Sequence, residues 1–101
     1  MDARDRCDEL ATEFLDQPDV SMGRALSNEV LKVNDKIFAF RKDEYLVVKL
    51  PVARVGELLA AGSKPFESGS RTMKEWVAVP VEAGSWRELM TEAKRFVGDR
   101  R

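Results

Sequence analysis

Three short runs of β-branched and aromatic residues crowd the stretch between Val30 and Leu50, with only two polar breaks. Val30-Leu31-Lys32-Val33 and Lys36-Ile37-Phe38-Ala39-Phe40 flank Asn34-Asp35, and Tyr45-Leu46-Val47-Val48-Lys49-Leu50 follows Lys42-Asp43-Glu44. Such residues suit a pleated, half-buried surface. Asn and Asp both tolerate positive φ, so Asn34-Asp35 reads as a tight hairpin turn. Runs this short with turns this tight can only pair as an antiparallel meander. A further short strand can precede it, around Ser21 to Leu26.

Helical spacing takes over on both sides. Ala3, Cys7, Leu10, Ala11, Phe14 and Leu15 fall on one face of a helix over about Asp2 to Asp16. Asp2 can cap its start, and Pro18 ends it. Asp8, Glu9, Glu13 and Asp16 make its outer face acidic. Pro51 opens a second helix with Val52, Val55, Leu58 and Leu59 as the buried stripe, and Gly62 ends it. Ser63 to Thr72 reads as a loop. Trp76-Val77-Ala78-Val79 is a short strand ended by Pro80. Ser85 and Glu88 form a capping box ahead of Trp86, Leu89, Met90, Ala93, Phe96 and Val97, which Gly98 closes. Asp99-Arg100-Arg101 reads as a frayed end. The expected fold is α+β, in the order α-β-β-β-α-β-α, with helices packed on an antiparallel sheet. A chain of 101 residues makes one domain, residues 1–101.

Composition narrows the chemistry. The chain has no histidine, which removes the commonest general base, every Ser-His or Cys-His pair and most transition-metal sites. No catalytic residues, cofactor or metal ligands are assigned on this reading. Seventeen basic against eighteen acidic residues give a net charge of -1, unlike a dedicated nucleic-acid binder. No apolar run reaches the length of a membrane span, and Met1 to Asp5 lacks a signal-peptide pattern. With one cysteine, Cys7, the expected location is the cytoplasm.

From Lys36 to Val97 the chain resembles the TfoX N-terminal domain family. The matching stretches are Lys36-Ile37-Phe38-Ala39, Leu46-Val47-Val48-Lys49-Leu50-Pro51, Arg54-Val55, Leu58 and Ala60-Ala61-Gly62. Pro65-Phe66, Met73-Lys74-Glu75-Trp76-Val77 and the Trp86, Leu89, Phe96-Val97 helix continue the series. With weaker upstream similarity it covers about residues 20 to 98. The family's Met-aromatic-Gly turn lacks its aromatic at Met22-Gly23-Arg24. The resemblance implies an α+β sandwich with one antiparallel sheet, a bacterial source, and a regulatory or protein-interaction role without an enzymatic reaction. The similar MmcQ/YjbR-like proteins imply a DNA-binding alternative.

Lys64, Arg71, Lys74 and Trp76 are the candidate binding surface. Lys64, Arg71 and Lys74 lie near Gly62, Ser63, Ser68, Gly69 and Ser70, so the loop can offer cations and backbone N–H groups to a phosphate or carboxylate. It matches no phosphate-loop spacing, and a solvated loop explains the same residues. Trp76 and Val77 must face opposite sides of their strand, leaving Trp76 either a core anchor or an exposed partner contact. Phe66 reads as a plug that pins the loop. Cys7, on an apolar stripe, reads as a small core residue. The basic residues of the last helix interleave with Glu88, Glu92 and Asp99, as on a solvated face. Opposite charge on the first and last helices also admits self-association. Three classes stand: an interaction module with a protein partner or with itself, a nucleic-acid binder, and a small-ligand binder or enzyme.

Overall fold

In the computed structural model, which describes residues 3–25, 28–68, 70–83 and 85–99, the three central runs pair as expected. The order is α1 (Ala3–Leu15), β1 (Val20–Ala25), β2 (Asn28–Val33), β3 (Lys36–Lys42), β4 (Tyr45–Lys49), α2 (Val52–Ala60), β5 (Lys64–Ser68), β6 (Arg71–Pro80) and α3 (Trp86–Gly98). A 3-10 turn at Val81–Ala83 leads into α3. All six strands form one antiparallel sheet in the order β1-β2-β3-β4-β6-β5, so the class is α+β. Asp2, Leu26, Gly69, Arg100 and Arg101, which the sequence reading drew on, lie outside the described residues.

Local chemistry sets the turns. Asn34 and Asp35 both sit at positive φ, 51° and 66°, as a two-residue hairpin demands. Asp43 is at φ 54° in the next turn, where the Arg41 guanidinium donates to its carbonyl oxygen at 2.8 Å. Pro51 stands one place ahead of α2, as its N-cap. Gly62, at φ 110°, closes that helix: its N–H donates to the Leu59 carbonyl and the Ser63 N–H to the Leu58 carbonyl. That pair of bonds is a Schellman closure. Ser85 caps α3 by accepting from the Glu88 N–H.

One correction concerns the segment expected as a loop. Lys64 to Ser68 is strand β5, and β6 begins at Arg71 rather than Trp76. Pro65 is tolerated because β5 is an edge strand, paired with β6 alone. The short strand before the meander is β1, and it contains Met22 and Gly23, so that stretch is strand and not turn.

Two irregularities bend the sheet. Leu31 pairs with Ala39 but Lys32 with Ile37, which leaves Phe38 as an extra residue. Phe38 and Ala39 therefore both point under the helices, and both are fully buried. Pro65 pairs with Val77 but Phe66 with Met73, a larger shift in the β5–β6 hairpin. The main core lies between the helices and one sheet face, with Leu10, Phe14, Phe38, Leu46, Val48, Val77, Val79, Trp86 and Met90 at its centre. The Trp86 indole donates to the Pro80 carbonyl at 3.1 Å, so its one polar atom is satisfied.

Charges then tie elements together at the rim. Arg87 on α3 pairs with Glu13 on α1 at 2.8 Å, and Lys94 pairs with Asp19 at 3.1 Å and donates to Gln17. Opposite charge on the first and last helices is thus used within one chain. Arg54 on α2 forks onto both carboxylate oxygens of Glu92 on α3, at 2.9 and 3.2 Å. These pairs are largely exposed, so they orient helices more than they stabilise them.

Phe38→Ala is expected to lower unfolding free energy by about 3–5 kcal/mol in a urea titration; a loss below about 1 kcal/mol would be incompatible with its place in the core. Asp35→Gly should instead raise stability by up to about 1 kcal/mol, because glycine adopts positive φ without steric cost.

Candidate functional site

The sheet face away from the helices carries its own apolar cluster. Val30, Phe40, Val47, Phe66 and Ala78 are buried there, with Ile37, Tyr45, Met73 and Trp76 packed against them. Strand alternation explains the division: Val77 and Val79 point under the helices, Trp76 and Ala78 away from them. Trp76 is therefore half-buried in this second cluster rather than in the main core.

Rings from distant strands meet in it. The Phe40 and Phe66 rings stand edge to face at 5.6 Å, and Trp76 lies 5.7 Å from Phe40 and 6.2 Å from Phe66. Phe40 is on β3 and Phe66 on β5, three strand positions apart. A flat sheet would separate their backbones by about 14 Å. Each ring therefore leans along the face toward the other, over β4 and β6, which lie between their strands. Phe66 does plug the hairpin, by reaching across two strands to Phe40.

Cations line this face. The Lys42 ammonium lies 5.3 Å from the Phe66 ring centre, Lys49 lies 5.7 Å from Trp76, and Lys64 lies 5.5 Å from Tyr45. Lys32 points the same way, by its pairing with Ile37. Its stem crosses Gly23 of β1 so closely that a Cβ there would stand 2.7 Å from Lys32 Cε. Arg71, two residues from Met73 on β6, shares the face by alternation. No carboxylate occupies a strand position on this face among the described residues. Glu29 pairs with Arg24 on the other side, Glu67 alternates with Phe66, and Glu75 alternates with Trp76. The nearest acids are in turns: Asp35 at the rim of a groove of about 590 Å³ that it shares with Lys32, Ile37, Lys49 and Trp76, and Asp43 and Glu44 between β3 and β4. Five cations on one face of a chain with net charge -1 leave the rest of the molecule acidic.

Of the four residues singled out from the sequence, Lys64 and Trp76 lie on this face, and Arg71 joins them at the far end of the hairpin. Lys74 is exposed in the irregular stretch between Met73 and Trp76. The backbone N–H groups expected to greet an anion are otherwise engaged at Gly62 and Ser63, which close α2. Lys32, Lys42 and Lys49 escaped notice because each looks like an ordinary strand lysine. The available signal was their strand parity: Lys49 alternates with Val48, and Lys42 lies two residues from Phe40.

A separate cleft of about 430 Å³ opens between α1 and the strands β1 to β3. Arg4, Arg24 and Arg41 line it with Asp8, Glu29, Cys7 and Met22, so its charges largely offset one another. Burial pushes the Cys7 thiol up to about 11, against a smaller lowering by Arg41. Cys7 thus stays a thiol at neutral pH and is a poor nucleophile there. Among the described residues no group of three acidic or cysteine side chains is arranged to hold a metal ion, and no helix is long and apolar enough to cross a membrane.

The sign of the linkage follows from the raised thiol value. Above about pH 9 the unfolded chain releases the Cys7 proton while the folded chain keeps it, up to about pH 11. Stability contributed by this site is therefore lost as pH rises across that window. Wild type minus Cys7→Ala, compared by urea unfolding from pH 8 to 10.5, should show this loss, and iodoacetamide should leave native Cys7 unmodified at pH 8. Rapid native alkylation would contradict the burial argument.

No family model, curated protein or solved structure matches this chain. The resemblance to the TfoX N-terminal domain family therefore rests on the residues quoted for it.

Proposed function

We propose that this chain is a non-enzymatic interaction module that recognises an anionic partner on its helix-free sheet face. The observation that carries this reading is the segregation of charge: Lys32, Lys42, Lys49, Lys64 and Arg71 share the face of half-buried Tyr45 and Trp76, with no strand carboxylate on it among the described residues. Lys42, Lys49 and Lys64 each lay the stem on apolar surface and keep the ammonium at a ring, where it is desolvated on one side and open to a counter-charge on the other. The lack of histidine and the protonated state of Cys7 speak for binding rather than catalysis. The resemblance to a regulatory family agrees with such a role. A DNA-binding protein of the MmcQ/YjbR type is the second reading, and the same cations favour it.

Retention on immobilised heparin tests the face directly. A chain with a pI near 5.5 gives little reason for retention by bulk charge. The wild type should be held at about 50 mM salt and released by about 300 mM, since polyanion contacts weaken steeply with salt. Lys42→Gln/Lys49→Gln/Lys64→Gln, which keeps most of each stem, should flow through while its circular dichroism matches wild type. Equal retention of the two proteins, or flow-through of the wild type, would defeat the proposal.

A further inference from the structure

We infer that the anionic partner is a single-stranded nucleic acid, an assignment that rests on the helix-free-face reading and gives it a ligand class. The face offers two cation–aromatic units in series. Tyr45 is covered by Lys64 and pairs across the sheet with Lys42; Trp76 is covered by Lys49 and shares its groove with Lys32. Lys49 pairs directly with Trp76, and Tyr45 lies four residues away on the same strand, about 13 Å along β4. The floor between the units is apolar, made by Val47, Phe40 and Phe66.

This alternation of ring and charge suits a ligand that alternates base and phosphate. An ammonium held over a ring is held weakly and can exchange that ring for a phosphate. The exchange uncovers the ring face, and an unpaired base can stack on it. Both halves of the repeat are then used at once. A duplex presents phosphates but keeps its base faces stacked inside, so it can use the lysines and not Trp76 or Tyr45. An acidic peptide has the charge without the flat apolar faces. Stacking accepts any base, so binding should be tolerant of sequence and strongly dependent on salt.

The test is a titration of a labelled oligothymidylate of about 12 nucleotides, followed by anisotropy and by intrinsic tryptophan fluorescence at about 50 and 200 mM salt. A duplex of equal length and an oligoglutamate of similar charge are the comparators. The single strand should bind at least tenfold more tightly than either. Tryptophan emission should be quenched through Trp76, since Trp86 is sealed in the main core. Trp76→Leu should weaken the single strand about tenfold and remove the quenching, and Lys49→Gln should lower the log–log salt slope by about 0.7. Should Trp76→Leu fail to fold, wild-type quenching and the Lys49→Gln slope still decide. Equal affinity for duplex or oligoglutamate, or a folded Trp76→Leu that binds like wild type, overturns the assignment. Heparin retention without single-strand binding overturns this inference alone; loss of both overturns the face itself.

Discussion

The register of the sheet is the constraint on which the rest of this molecule depends. Two register shifts, one leaving Phe38 unpaired on β3 and one between Pro65 and Phe66 on β5, bend an otherwise regular antiparallel ladder. Bulges increase local twist and re-aim side chains. Here the first puts Phe38 and Ala39 together under the helices, which thickens the main core at its centre. The second brings Phe66 from the edge strand onto Phe40.

Strand alternation, with helices on one face only, creates two unequal apolar layers. The helix-covered layer holds the large buried side chains and supplies most of the stability. The second layer is thin, and lysine stems complete its cover. Such a cover differs from a helix in one respect that matters for function. A helix leaves only by unfolding, whereas an ammonium group can swing to a counter-charge by rotamer changes alone. On the proposed reading, structural packing and binding are served by the same residues.

Charge placement follows from this layering. Acidic residues are spent on helix rims and turns, where Glu13, Asp19 and Glu92 pair with Arg87, Lys94 and Arg54. Among the described strand cations, Lys32, Lys42, Lys49, Lys64 and Arg71 fall on the helix-free side, while Arg24 and Arg41 line the cleft beside α1. Near-neutrality of the whole chain therefore conceals a polarised surface, and net charge is a poor guide to what this face can bind.

Local features were legible in the amino-acid order. Helical spacing, the Ser85 cap, the Gly62 ending and the Asn34-Asp35 turn each depend on residues within a few positions of one another, so sequence alone determined them. Strand β5 was not legible, because Lys64-Pro65-Phe66-Glu67-Ser68 has little strand preference of its own and becomes a strand only by pairing with β6. The candidate face was half legible. Lys64 and Trp76 stood out by position, while Lys32, Lys42 and Lys49 joined them only in space, on strands that are neighbours in the sheet. Convergence of side chains from five strands on one surface is a property of register. Register depends on contacts between residues far apart in the chain, and only the tertiary structure decides it.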